Sequence, residues 1–220
     1  MKYHFLIISL LLFSLHAFAQ KSSSSFHFKN GDIIFQDLDC GALCDAIESV
    51  TVGYKGISLS HIAIVEIVNG NIQVIEAIGS NVHKTPIDTF LKRSIDSNGK
   101  PRIIFGRLKP TYKMLLPKAI SFCNKQIGKK YDDAFLPNND KYYCSELLYD
   151  AFKYANEEES FFTLQPMTFK DKNTKDYYPA WVDYFAALKI EIPEGIDGCN
   201  PAGIANDNKI TIIKNSSNEK

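Results

Sequence analysis

Three side chains far apart in the chain, Cys144, His61 and Glu76, are of the types that build a nucleophilic thiol site. A thiolate attacks an acyl carbon, an imidazole takes and returns the proton, and a carboxylate on the far ring nitrogen fixes the tautomer and favours the imidazolium. Such a site forms only if the fold brings the three together.

The histidine and the glutamate sit on one predicted hairpin. In SHIAIVEIVNGNIQVIEAIG, residues 60–79, two β-rich runs flank Asn69-Gly70, a dipeptide that readily adopts the positive φ of a two-residue turn. That turn sets Val68 against Asn71, and counting outward sets Ala63 against Glu76 and His61 against Ile78. Side chains alternate faces along a strand, so His61, Ala63, Glu76 and Ile78 share a face. His61 and Glu76 become diagonal neighbours, roughly 7 Å apart between backbones and within reach of long side chains. His83 is the second candidate base; it reads as following a loop, without a hairpin partner.

The cysteine lies in DKYYCSELLYDAF, residues 140–152, where an extended aromatic stretch gives way to a helix with Leu147, Leu148, Ala151, Phe152 and Ala155 on its buried face. In the first turn, Cys144 meets unpaired backbone N–H groups and the positive end of the helix dipole, an environment that favours thiolate over thiol and can bind a developing oxyanion. The competing reading is structural: a packed thiol, a satisfied histidine and a solvated glutamate.

The surrounding elements read as α+β. A strand follows Gly31, a helix spans 41–50, and another strand covers 102–105, with a short helix or loop at 86–92. A helix over 117–130 places Ala119, Ile120, Cys123 and Ile127 on one face, with Pro117 in its first turn. From Phe161 onward the signals are weak. Helices bracket antiparallel strands, and the alternation expected of a parallel sheet is missing.

Residues 1–19 combine Lys2, an apolar run from Phe5 to Phe13 and the ending Ala17-Phe18-Ala19, the plan of a secretory signal peptide. The expected organisation is a signal peptide at 1–19, a flexible leader at 20–30, one domain at 31–205 and a tail at 206–220. Cleavage leaves 24 basic and 25 acidic side chains, which argues against nucleic acid or an anionic membrane as the main partner. No integral membrane segment is expected in the mature chain, which would be periplasmic or secreted. Of five cysteines, Cys40, Cys44, Cys123, Cys144 and Cys199, at least one is left without an intramolecular partner. Packing or a disulfide is a better reading of Cys40 and Cys44 than zinc, and no metal or other cofactor is expected.

The motifs GDIIFQ, SHIAIV, VIEA, GKKYDDAF, YYCSELLYDAF and DGCNP occur in an order that resembles the YiiX/YebB-like family of circularly permuted NlpC-like, papain-like cysteine amidases. The resemblance runs from about Gly31 to Pro201. It implies a permuted papain-like α+β fold, an antiparallel sheet or partial barrel packed against helices. It also implies Cys144 as nucleophile, His61 as general base, Glu76 as orienting residue, and Tyr143 and Glu146 as wall or support of the substrate site. Cys199 departs from a usual threonine, which would affect only the C-terminal tie-down. The implied function is an exported cysteine hydrolase cleaving amides, with cell-wall peptides as the natural substrate. The alternatives are a lipid- or ester-directed acyl hydrolase or acyltransferase at the same site, and a non-catalytic binding domain with Cys144 in a disulfide.

Overall fold

The computed structural model describes residues 26–213. The predicted signal peptide lies outside them. Six antiparallel strands form one open sheet in the order β4-β3-β2-β1-β5-β8. They are β1 (Ile33–Gln36), β2 (His61–Val68), β3 (Asn71–Ile78), β4 (Asn81–Pro86), β5 (Ile103–Leu108) and β8 (Ile210–Ile213). A second, two-stranded ladder pairs β6 (Gln165–Pro166) with β7 (Asp197–Gly198). The helices are α1 (Ala42–Val50), α2 (Ile87–Lys92), α3 (Leu116–Lys125), α4 (Cys144–Ala155), α5 (Pro179–Leu188) and α6 (Pro201–Ala205).

The period of two sorts the sheet into two buried faces. Ile33, Phe35, Ile62, Ile64 and Ile75 pack with Leu147, Leu148 and Phe152 of α4 and Ala119 and Cys123 of α3. Ile34, Ala63, Val65, Val74 and Phe105 pack on the opposite side with Phe90 of α2 and Phe28. Because both faces are covered, the central strands are nearly continuous apolar runs. A third cluster, Ala46, Phe169, Trp181 and Phe185, joins α1 to α5 beside the main core.

The hairpin register is as expected: Val68 pairs with Asn71 and Ile64 with Ile75. Asn69 and Gly70 take φ values of 50° and 82°, which suits the right-handed twist of the flanking strands. Elsewhere the structure corrects the sequence reading. Residues 81–86 form an edge strand, so His83 does have a partner and stands directly across from Glu76. Asn, Lys and Pro are poor strand formers, and this strand exists because β3 supplies a template for it. Helix α3 ends at Lys125, which leaves Ile127 exposed beyond it. Phe26 and Phe28, in the stretch read as leader, stack on one another and meet Phe105 edge-on. The stretch read as tail contributes β8, which pairs with β5 from Phe105↔Ile213 to Leu108↔Ile210.

The delivery of Cys144 depends on backbone pairing outside the main strands. Beyond α3, Gly128 N–H donates to Val82 O and Tyr131 N–H donates to Ser80 O, so this segment clips onto the turn between β3 and β4. Tyr142 N–H then donates to Lys130 O, and Asp132 N–H to Tyr142 O. The first turn of α4 is thereby held near the sheet end where β2 begins.

Gly106 tests the place of β8. A Cβ there would lie 2.4 Å from Ile210 Cγ2 and 3.4 Å from the Phe35 ring. Gly106→Ala is expected to destabilise the protein by about 1–3 kcal/mol through overpacking. A urea midpoint equal to that of the parent would show that β8 does not press on the sheet as described.

Candidate active site

Glu76 is fully buried, and its three side-chain partners come from three different elements of the fold. From β2, His61 Nε2 lies 2.6 Å from its Oε2. From β4, the Thr85 hydroxyl donates to Oε1 at 2.5 Å. Just after α2, the Arg93 guanidinium donates to both oxygens, at 2.8 and 2.6 Å. A buried carboxylate is tolerated only when paired and hydrogen-bonded, and a bidentate guanidinium is the strongest such partner. Burial alone would raise the Glu76 pKa; the hydrogen bonds and charges of Arg93 and His61 overcome it and hold the carboxyl well below its ordinary range.

His61 is itself buried, between Glu76 and Cys144. Burial works to lower its pKa, but hydrogen bonding to Cys144 and to Glu76, together with their charges, raises it to about 9. That direction favours the imidazolium, whose Nε2 is held by the carboxylate. Sequence spacing anticipates the His61 and Glu76 contact. Thr85 was legible only if the turn after Ile78 was read as a second hairpin, and Arg93 gives no local signal because α2 decides where it points.

Cys144 is the first residue of α4 and a free thiol. The helix hydrogen bonds begin with Leu147 N–H to Tyr143 O, so the N–H groups of the first turn face outward from the helix end. Cys144 opens on a cavity of about 260 Å³ whose wall includes Tyr143, Tyr131 and Cys199. Burial, followed by nearby charges, pushes the Tyr131 phenol pKa well above its usual value, which keeps that group protonated in the cavity wall.

The two residues expected to wall or support the site separate into different places. Tyr143 lines the cavity, and its hydroxyl accepts from Cys199 N–H at 3.2 Å. Glu146 does not line it. It is buried behind the nucleophile, where it accepts from Tyr143 N–H at 3.4 Å and closes the helix end. Burial, then the charges of Asp150 and Asp132, raises its pKa to about 8. Cys199 is also corrected: it stands in the same cavity wall as Cys144 and touches Tyr143, so its influence extends beyond a tie-down. Cys40 and Cys44 form a disulfide, and Cys123 and Cys199 are free like Cys144. The second candidate base, His83, turns its Nδ1 to Asn81.

A thiol at a helix start, with an imidazole and a buried carboxylate supplied by an earlier hairpin, is the papain-like arrangement in permuted chain order. Residues 27–214 match the family described as "Permuted papain-like amidase enzyme, YaeF/YiiX, C92 family", and the chain belongs to that family. It is 30% identical over 155 residues to an Escherichia coli protein described as uncharacterized YiiX, covering 70% of this chain and 69% of that one. A crystal structure of YiiX from another strain of Escherichia coli, described as a metalloprotein, shares the fold with a TM-score of 0.65 at 22% identity, over 85% of this chain and 97% of that one.

Two titrations follow from the buried groups. The His61 pKa is raised from 6.5 to about 9, so its contribution to stability is complete below about pH 6.5 and is lost as pH rises through about 9. Glu146 folds in its neutral form, so stability falls between its ordinary value of 4.5 and about 8 and is level above that. Urea unfolding of the parent should therefore show stability declining from pH 5 to 9. Glu146→Gln should gain on the parent up to about pH 8, and Glu76→Gln should move the His61 NMR titration midpoint down from about 9. An unmoved His61 midpoint in Glu76→Gln would contradict the pairing.

Proposed function

We propose that this protein is an exported cysteine hydrolase acting on amides, with Cys144 as nucleophile, His61 as general base and acid, and Glu76 as the residue that positions His61. The observation that carries this reading is the hydrogen bond of buried His61 to a carboxylate locked by Arg93 and Thr85, together with the interaction with Cys144 that helps to raise the His61 pKa. The Cys144 sulfur adds to the amide carbonyl, its proton having passed to His61. The oxyanion meets the N–H groups of the α4 first turn, which stabilise charge as it develops. His61 protonates the leaving amine, the C–N bond breaks, and a thioester remains on Cys144. Water, deprotonated by His61, releases the acid and restores the thiol.

Peptide amides of the cell wall are the proposed setting, by kinship with the family and with the export plan of residues 1–19. The Cys40–Cys44 disulfide supports a periplasmic or secreted location, since such bonds persist outside the reducing cytosol. The Escherichia coli neighbour is described as a metalloprotein, which raises the question of a metal in this chain. Among the described residues, no group of three or more His, Cys, Asp and Glu side chains is placed to hold one. Glu76 is moreover held by the cationic Arg93, which opposes a second cation there. No step of the proposed reaction passes through a metal.

Cys123 and Cys199 have thiols whose pKa burial pushes up to about 12, so the proposal predicts a clear selectivity. Iodoacetamide at pH 7 should label Cys144 first, and His61→Ala should slow that labelling by about tenfold or more. Cys144→Ala should abolish hydrolysis of wall-peptide fragments, and Glu76→Gln should cut kcat by about 10²–10⁴-fold. Equal labelling of the three free thiols would sink the enzyme reading.

A further inference from the structure

We infer that Gln36 is a positioning residue of this active site: its amide fixes the end of α2 and, through Phe90 and Arg93, the orientation of the His61 and Glu76 pair. The inference rests on the reading of His61 as the base that serves Cys144. Gln36 is the last residue of β1, is fully buried and stands directly across from His61 in the strand register. The period of two places Gln36 on the face of Ile34 and His61 on the face of Ala63, which is one side of the sheet. Gln36 is not part of the cavity wall at Cys144, so its effect on the reaction must pass through other side chains.

The amide makes one bond and leaves one atom unpaired. Its Nε2 donates to the Phe90 carbonyl at 2.9 Å. A carbonyl only accepts, so this contact fixes which end of the amide faces Phe90. The other end, Oε1, is buried and has no hydrogen-bond partner among the described residues. A buried acceptor left unpaired destabilises the fold. Methionine has the same length and no such acceptor, so filling the interior does not account for a glutamine at this position.

What the one bond supplies is a fixed end for a helix that cannot hold itself. Helix α2 has six residues, well short of the about 12–15 at which a helix becomes stable unaided. The last carbonyls of a helix lack partners inside it, and that of Phe90 receives the Gln36 amide and, at 3.3 Å, the N–H of Arg93. The Phe90 ring, also fully buried, meets both ends of the catalytic cluster: its centre lies 6.0 Å from that of the His61 ring and 5.2 Å from the Arg93 guanidinium. Arg93 in turn holds both oxygens of Glu76, and Glu76 holds His61. The link from β1 to the base therefore runs through one backbone carbonyl and one ring. Without the Gln36 bond the end of α2 is free to shift, and the ring and the guanidinium shift with it.

The test reads the rate of Cys144 labelling by iodoacetamide at pH 7 and the His61 ring N–H proton in the NMR spectrum of the full mature chain. In the parent that proton, in a 2.6 Å bond to a carboxylate, should lie far downfield and exchange slowly with water. Gln36→Met should move it upfield, hasten its exchange and slow labelling by about threefold or more. Gln36→Asn, one methylene too short to keep the bond to Phe90, should act in the same way and takes its place if methionine prevents folding. Ile33→Val, on the same strand but in the opposite core, should change neither readout at an equal loss of urea stability. Phe90→Leu keeps the carbonyl and removes the ring, so it should reproduce the Gln36→Met effects, and the double variant should label no more slowly than the slower single one. An unmoved proton and rate in the Gln36 variant overturn the inference. So does an unmoved proton in Phe90→Leu, an equal effect of Ile33→Val, or a double loss equal to the product of the single ones. Cys144 labelled no faster than Cys123 or Cys199 in the parent is instead the failure of the enzyme reading itself.

Discussion

A carboxylate with no exposure to solvent is the point on which the rest of the site depends. Glu76 is held by His61 from β2, Thr85 from β4 and Arg93 after α2, and none of these reaches it without the pairing of β3 to a strand on each side. Removing one partner would leave a buried charge short of a hydrogen bond, which costs more than the bond itself contributes. The edge strand and the short helix behind it thus serve to satisfy one side chain. That side chain, in turn, fixes the ring of His61 and the direction in which its other nitrogen points.

The placement of Cys144 has a separate origin. Helix α4 is anchored by Leu147, Leu148 and Phe152 in the main core, so its start is rigid, and the extended 128–132 segment ties that start to the β3–β4 turn. Sulfur and imidazole meet because one is fixed by packing and the other by a buried ion cluster. Glu146 reinforces the arrangement from behind. As a neutral carboxylic acid near pH 7 it can accept the Tyr143 N–H without setting a negative charge beside the sulfur.

The cavity is assembled from parts that sequence reading left blank. Phe169, Trp181 and Phe185 form a small cluster with α1, and the β6–β7 ladder sets Met167 and Gly198 side by side. Residues after Phe161 carry little periodicity because their aromatic side chains pack on one another through turns, with α5 the longest of the described helices among them. Their order comes from contacts distant in sequence. The same holds for β8, whose four residues gain strand structure by pairing with β5.

Local chemistry was enough to determine the hairpin register, the shared face of His61 and Glu76, the start of α4 at Cys144 and the α+β class. Each follows from a turn dipeptide, a side-chain period or a helix-end preference that acts over a few residues. The tertiary structure alone decided that Arg93 and Thr85 complete the carboxylate and that Cys199 shares a wall with Cys144. Those features join segments tens of residues apart, and hydrophobic burial and charge pairing, unlike backbone periodicity, leave no trace of their partners in the local order of residues.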